Sequence, residues 1–121
     1  MGSYMDQQSE QNVSEYVKNR RDFFLSPQVF GKLFLIVDVW IDGKGYKNLP
    51  HVDDARIKLH LQVYLSDDNE GTSLYDSSGE LLYTFPFKSN FGYALYNNVY
   101  SYHGVEQVEK DGRISLYVRY Q

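Results

Sequence analysis

The sequence of 121 residues contains no cysteine. Disulfide bonds, cysteine-ligated zinc, iron–sulfur clusters and catalysis by a thiol are therefore excluded. The absence of cysteine is typical of a cytoplasmic protein, and that is the location that we expect.

The chain also lacks a long apolar run and an excess of basic residues. The longest apolar run, LFLIV at 33–37, ends at Asp38 and is far too short to span a membrane. The formal net charge is −4, whereas a general nucleic-acid binder needs a basic field that releases counterions from phosphates. We therefore expect no signal peptide and no membrane partner, and a nucleic-acid partner is disfavoured.

The composition that remains is that of a folded domain rich in aromatic residues. Hydrophobic residues make up 42% of the chain and charged residues 23%, and the length predicts a single domain. Aromatic residues reach 17%, with 12 tyrosines. Tyrosine favours strands and half-wet pockets, because its ring packs while its hydroxyl group finds a polar partner.

The first 25 residues differ from the rest of the chain. Residues 1–12 are polar, which indicates a flexible tail or a cloning remnant. Residues 13–25, VSEYVKNRRDFFL, carry apolar residues at a modestly amphipathic spacing. The pattern predicts a helix over 13–25 that ends near Pro27, because proline disfavours helix in the residue before it.

The remainder, about 31–120, has the pattern of short strands. Residues 56–65, RIKLHLQVYL, alternate cleanly between apolar and polar side chains, and residues 113–120 alternate again. Between them Asp111-Gly112 predicts a hairpin turn. Seven or eight short strands after one helix indicate a sandwich or a barrel, within one domain over 13–121.

Two of the three histidines lie at strand–loop junctions. His51 and Asp53 are two residues apart, so on an extended chain both side chains point the same way. With His103, brought alongside by fold closure, they would form a two-histidine, one-carboxylate set. That set leaves three positions of an octahedral ion open and is the arrangement of non-haem Fe(II) oxygenases. The third histidine, His60, lies in mid-strand and is expected to line the interior or to hydrogen-bond there.

Arg113 begins the final strand, ten positions after His103 and across the hairpin turn. It shares a face with Ser115, Tyr117 and Arg119. A strand bonded to that of His103 would aim Arg113 into the same cavity. A buried guanidinium fork is suited to a carboxylate by bidentate contact.

These segments resemble a known family. HVD (51–53), YHGV (102–105) and GRISLYVRY (112–120) resemble the His-x-Asp…His…Arg motif of the 2-oxoglutarate/Fe(II)-dependent oxygenases, with the closest likeness to the prolyl-hydroxylase-like branch. VYLSDDNEGTSLYD (63–76) is similar to the family segment after the second strand. The resemblance covers roughly 33–120 and implies a mainly β fold, a double-stranded β-helix (jelly-roll) core, here with one N-terminal helix.

The resemblance also implies roles for single residues. His51, Asp53 and His103 match the Fe(II) ligands, and Arg113 matches the residue that salt-bridges the distal carboxylate of 2-oxoglutarate. Tyr64 matches a tyrosine that hydrogen-bonds the same carboxylate. Ser115 either assists or is a small residue that makes room. The implied activity is hydroxylation of a peptidyl proline or a small molecule, with release of succinate and CO2.

Three further residues are candidates for substrate contacts, each with an alternative. Tyr46 lies in the loop DGKGYKN (42–48), which is either a mobile lid or a plain connector. Arg119 either contacts substrate or forms a surface salt bridge. Gln62 lies on the polar face of its strand.

Two other functions compete with the oxygenase. The first is a jelly-roll binding module that keeps the motif without turnover. The second is a cupin-type metalloenzyme that uses no 2-oxoglutarate, although its pattern requires a second histidine where Asp53 stands and leaves Arg113 without a role.

The apolar face of strand 56–65 cannot remain in water, and family members usually cover it with several helices. Either a partner subunit, as in a homo-oligomer, covers the remainder, or the chain is a minimal or truncated version.

Overall fold

The computed structural model describes residues 19–30 and 33–121, and this part of the chain is built entirely of strands and connecting loops. It contains no helix, and therefore none long and apolar enough to cross a membrane. Nine strands form two antiparallel sheets, one of five strands and one of four. Strands that are distant in the sequence are neighbours within each sheet, which is the connectivity of a jelly roll.

The strand bounds in chain order are β1 Arg20–Phe30, β2 Leu33–Asp42, β3 Asn48–His51, β4 Leu59–Tyr64, β5 Ser73–Tyr75, β6 Leu81–Thr84, β7 Gly92–Tyr96, β8 His103–Val105 and β9 Arg113–Tyr120. The five-stranded sheet has the order β1-β2-β9-β4-β7, and the four-stranded sheet has the order β3-β8-β5-β6.

The helix expected over 13–25 is not found where the chain is described. Residues 13–18 lie outside the described residues, and residues 20–25 belong to β1. Phe23 pairs with Val39 of β2 in antiparallel register. Aromatic and branched residues suit a pleated sheet as well as a helix, and pairing with a distant strand decides between the two. Pro27 is tolerated because β1 is an edge strand, where a missing backbone donor need not cost a ladder bond.

The polar faces of the two alternating strands point inward. In β9 every second residue is buried, beginning with Arg113 and ending with Arg119. In β4 the buried residues are His60, Gln62 and Tyr64. Their apolar neighbours on the opposite faces are only half-buried. The space between the sheets is therefore lined by polar groups, as in jelly rolls that enclose a ligand site.

The apolar cluster of fully buried residues is small, comprising Tyr46, Val105 and Val108. Tyr46 is only 1% exposed, and its backbone carbonyl accepts a hydrogen bond from the amide of Val108 at 2.9 Å. Tyr46 therefore packs in the core, and its contact with a substrate stays a prediction. Gly43 and Gly45 suggest movement, but backbone hydrogen bonds of Gly45 and Tyr46 with Val108 connect this loop to a distant one.

On the outer face of β4, Leu59, Leu61 and Val63 are half-buried. An apolar sheet face of this kind calls for a covering partner. The homo-oligomer expected from the sequence stays a prediction.

Asp42, the last residue of β2, joins three strands of the large sheet. Its carboxylate accepts hydrogen bonds from Arg20 Nε of β1 at 2.6 Å and from Arg113 Nη1 of β9 at 2.7 Å. Asp42 is fully buried. Burial alone would raise the pKa of this carboxyl group, but the two guanidinium groups outweigh burial and hold the pKa below its ordinary value of 3.8.

Replacing this buried carboxylate should destabilise the fold. Asp42→Asn leaves Arg20 and Arg113 without their counter-charge, and we expect the free energy of unfolding to fall by about 3–5 kcal/mol. Denaturant unfolding at pH 7 measures this difference. Because the pKa of Asp42 is lowered in the fold, the advantage of the wild type is complete above pH 3.8 and is lost as the pH falls below it, toward the folded-state pKa.

Asp68→Asn is the matched control, since Asp68 is exposed and has a φ of 56° that asparagine also tolerates. Its effect should stay within about 0.5 kcal/mol. An Asp42→Asn variant as stable as this control would contradict the proposed role of the carboxylate.

Candidate metal centre

Two histidines and one aspartate converge at one end of the small sheet. His51 ends β3, Asp53 follows it in the loop, and His103 begins β8. One ligand atom from each residue lies within 4.8 Å of the other two. His51 and His103 are directly paired across the two strands, with ring centroids 4.5 Å apart.

A glycine allows this close approach. Gly104 follows His103, and a Cβ atom built on it would lie 2.3 Å from the backbone oxygen of Asn48 in β3. Any other residue at this position would push β8 away from β3. The absence of a side chain at Gly104 therefore keeps the two histidines within reach of one ion.

Backbone carbonyls orient both imidazole rings. The Nδ1 atom of His51 lies 2.7 Å from the oxygen of Leu49, and that of His103 lies 2.8 Å from the oxygen of Ser101. A ring that donates from Nδ1 presents the lone pair of Nε2 to a metal. The Oδ1 atom of Asp53 lies 3.2 Å from Nε2 of His103 and 3.7 Å from Nε2 of His51. Two nitrogens and one oxygen thus face the same point.

The charges of the three groups are coupled. Burial raises the pKa of Asp53, but hydrogen bonds from His103 and His60 outweigh burial and hold that pKa well below its ordinary value. Burial lowers the pKa of His103, and the bond to Asp53 reverses this effect and raises it. Burial and the neighbouring His103 lower the pKa of His51. The carboxylate of Asp53 is therefore ionised at neutral pH. A bound metal cation can balance its negative charge in place of the protons on the histidines.

The third histidine takes part in the site through the aspartate. The Nδ1 atom of His60 lies 2.7 Å from Oδ2 of Asp53, the oxygen that does not face the other histidines. Its Nε2 atom lies 2.9 Å from the hydroxyl oxygen of Tyr93, which donates to Oε1 of Gln62 at 2.8 Å. Sequence reasoning placed His60 in the interior without finding these partners. The alternation of 56–65 was the signal that pointed inward.

The hydrogen bonds continue toward Arg113. Thr72 donates from Oγ1 to Gln62 Oε1 at 2.9 Å and accepts from the Tyr64 hydroxyl at 3.0 Å. Gln62 also donates to the Oγ atom of Ser115 at 2.9 Å. Three of the residues expected to bind 2-oxoglutarate or substrate, Gln62, Tyr64 and Ser115, therefore lie in one network. Thr72 and Tyr93, which the sequence did not indicate, belong to the same network.

Arg113 lies at the far end of this network. Its Nε atom donates to the backbone oxygen of Glu70 at 2.6 Å, and its Nη1 atom donates to Asp42. Its Nη2 atom is buried and has no hydrogen-bond partner. The guanidinium carbon lies 5.7 Å from the centroid of the Tyr64 ring. The structure thus places Arg113 and Tyr64 side by side, with one donor of the arginine unused.

Arg119 lies on the same strand, toward the metal centre, where it is paired in register with His60. It is 3% exposed, with Nη2 3.6 Å from Oδ2 of Asp38 and with no partner for Nε. The alternative of a surface salt bridge is therefore wrong. A substrate contact by Arg119 stays a prediction.

Comparisons with known proteins show the fold. No protein-family model matches this sequence, and no curated protein is significantly similar to it. Among solved structures, the chain is similar to an oxidoreductase of the 2OG-Fe(II) oxygenase family from Burkholderia pseudomallei, with a TM-score of 0.58 and 15% identity over 74% of this chain. The chain spans only 43% of the length of that protein.

Two cupin-like structures are also similar. KdgF from Halomonas sp. has a TM-score of 0.58 and 12% identity, over 84% of this chain and 79% of its own. An RmlC-like cupin protein from Desulfovibrio desulfuricans has a TM-score of 0.54 and 11% identity, over 84% and 83% of the two chains. The described part of the chain therefore has a jelly-roll fold similar to those of these proteins. The prolyl-hydroxylase-like branch stays a prediction.

The convergent geometry predicts metal binding by all three residues. Replacing His51 or His103 by Ala removes a ligand atom, and Asp53→Asn removes the negative charge of the third ligand. In each variant Mn(II) affinity should fall by more than the roughly 10–100-fold typical of a lost outer-shell partner. Isothermal calorimetry with Mn(II) measures the affinity of each variant.

Asp54→Asn is the matched control, because Asp54 is the next residue and is exposed. The same chemical change there should leave Mn(II) affinity within about twofold, since its carboxylate is bonded to Arg56 and not to the histidines. Equal losses in the two aspartate variants would argue against a role for Asp53 as ligand.

Proposed function

We propose that this chain is an Fe(II)- and 2-oxoglutarate-dependent oxygenase. The observation that carries the proposal is the joint arrangement of three convergent ligand atoms and a buried arginine with an unused donor. A series of hydrogen bonds runs from Asp53 to Tyr64, whose ring lies beside this arginine. A metal site without the arginine, or the arginine without a metal site, would not favour this function over others. The two together suit a co-substrate that binds a metal at one end and presents a carboxylate at the other.

His51, Asp53 and His103 would hold the iron. Their donor set, two imidazole nitrogens and one carboxylate oxygen, suits Fe(II) and leaves room for other ligands. When bound, iron and 2-oxoglutarate supply oxygen activation coupled to decarboxylation, with succinate and CO2 as products. The chain itself contributes ligand orientation through the carbonyls of Leu49 and Ser101.

Arg113 would bind the distal carboxylate of 2-oxoglutarate. Two guanidinium groups, those of Arg20 and Arg113, share the single carboxylate of Asp42. A buried donor without a partner is costly, and a carboxylate ligand would satisfy Nη2 of Arg113 with a charge-assisted bond. Tyr64 lies beside the guanidinium, where its hydroxyl group can exchange its bond to Thr72 for one to the ligand.

The expected class of substrate is inferred from the family resemblance alone. A peptidyl proline or a small molecule stays the expected substrate, with Gln62 and Arg119 as candidate contacts. Gln62 is committed to Ser115, Thr72 and Tyr93. Arg119 has a donor available at Nε, so it is the stronger candidate of the two.

A second candidate is a cupin-type metal-dependent enzyme that uses no 2-oxoglutarate. The observation in its favour is the closed network between the metal ligands and Arg113. Gln62, Thr72 and Ser115 are all buried and bonded to one another, and two of the three donor atoms of Arg113 are already engaged. In this case the arginine serves the fold alone.

Anaerobic absorbance titration separates the two candidates. We expect a visible charge-transfer band that requires both Fe(II) and 2-oxoglutarate and that is lost in Asp53→Asn. Metal binding without a band would favour the cupin-type enzyme, and no metal binding by the folded protein would favour a binding module without turnover. Succinate formed in step with substrate oxidation would then establish turnover.

Arg113→Lys should weaken the binding of 2-oxoglutarate far more than the binding of the metal. Lysine keeps the positive charge but loses the guanidinium fork. Loss of one bond to a charged group costs about 1.5–3 kcal/mol, which corresponds to about a 10–100-fold increase in the 2-oxoglutarate Kd. Titration of the Fe(II)-loaded protein measures this Kd, and Mn(II) calorimetry should show a nearly unchanged metal affinity.

The matched control is Arg21→Lys, since Arg21 is exposed on β1. The 2-oxoglutarate Kd of this variant should equal that of the wild type. If Arg113→Lys also bound 2-oxoglutarate as the wild type does, the role assigned to Arg113 would be wrong.

A further inference from the structure

The two oxygens of the Asp53 carboxylate face different partners. Oδ1 is directed at the Nε2 atoms of His51 and His103, at 3.7 and 3.2 Å. Oδ2 is directed away from them and lies 2.7 Å from Nδ1 of His60. The aspartate is half-buried and His60 is 1% exposed, so little water is present to compete for this bond.

The His60 ring is fixed on several sides. Its Nε2 atom is bonded to the hydroxyl group of Tyr93 at 2.9 Å. Its centroid lies 4.9 Å from that of His103 and 5.1 Å from that of Tyr117. Tyr93 is itself stacked on Phe85, with centroids 4.6 Å apart and planes 8° from parallel. Rotation of His60 away from Asp53 would break bonds at both ring nitrogens.

We propose that His60, held by Tyr93, is a positioning residue that restricts Asp53 to one metal-binding oxygen. Carboxylates bind metal ions through one oxygen or through two. Because His60 occupies Oδ2, only Oδ1 is available to the ion. Asp53 then takes one coordination position and leaves an additional one open, which a chelating co-substrate needs alongside oxygen. The inference rests on the proposed function, since it assumes that the three residues bind a metal.

A second consequence concerns the co-substrate pocket. The same Tyr93 hydroxyl group that holds His60 also donates to Gln62, which bonds Ser115 and Thr72. A ligand that displaces Gln62 from Tyr93 would therefore act on the aspartate through His60. Asp53 at the metal end of the interior and Tyr64 beside Arg113 therefore belong to one set of hydrogen bonds.

Two variants of His60 separate its two hydrogen bonds. In His60→Asn the amide nitrogen lies two bonds beyond Cβ, as Nδ1 does, and can still donate to Oδ2 of Asp53. In His60→Gln the amide lies one bond farther out, toward the position of Nε2 and Tyr93. Both replacements are polar and close in size to histidine, so the pair differs mainly in which bond survives.

The measurement counts exchangeable waters on bound Mn(II) by water-proton relaxation, with Mn(II) as the probe and no co-substrate. The wild type should show about three waters, as expected for an octahedral ion with three protein ligands. His60→Gln should show about one water fewer, because Oδ2 becomes a fourth ligand, and its Mn(II) Kd should change by about 10–100-fold, as is typical for loss of an outer-shell partner. His60→Asn keeps the donor to Oδ2 but loses the bond to Tyr93, so its water count should lie closer to the wild type than that of His60→Gln.

Tyr93→Phe tests the same inference without touching the histidine, and it keeps the stacking on Phe85. Because His60 loses its anchor but keeps its donor to Oδ2, the water count should fall in the same direction as in His60→Gln, but by less. This variant decides the outcome if the histidine variants fail to fold, as judged by thermal unfolding of the metal-free proteins.

The outcomes distinguish this inference from the function on which it rests. If the folded wild type does not bind Mn(II), both are overturned. If it binds Mn(II) with the same water count in His60→Gln, or in Tyr93→Phe where that variant decides, only the positioning role is overturned.

Discussion

The polar interior is the constraint on which the rest of this structure depends. The central strands β4 and β9 turn histidine, glutamine, tyrosine and arginine side chains inward. A buried polar group without a partner costs free energy, so these side chains must bond to one another or to a ligand. Most of them form a connected series from Asp53 to Tyr64, beside Arg113. The donors left over, on Arg113 and Arg119, are the positions where a ligand has most to contribute.

Local patterns in the sequence were sufficient for part of this arrangement. A strict period of two predicted which side chains of 56–65 and 113–120 share a face, because the pleat fixes that relation over neighbouring residues. The same rule placed His51 and Asp53 on one side of the chain. Jelly-roll architecture followed from the resemblance, and the solved structures support the fold.

Contacts between distant segments determined what the sequence could not show. The Phe23-Phe24 pair suits either a helix or a strand, and the register with β2 settles the choice. Tyr46 is drawn into the core by a loop some sixty residues away. His60 bonds to Asp53 in a preceding loop and to Tyr93 on the neighbouring strand β7. Periodicity within one strand cannot reveal such bonds. These are the relations that closure of two sheets creates.

Gly104 illustrates how far such relations reach. The residue has no side chain and offers no group that titrates. The backbone of Asn48 nevertheless occupies the space where its Cβ would lie, and this proximity sets the spacing of the two histidines. Substitutions of Gly104 would therefore impair the metal centre as substitutions of its ligands do, although Gly104 supplies no ligand atom. The close approach of two backbones, which only a residue without a side chain allows, is thus part of the site.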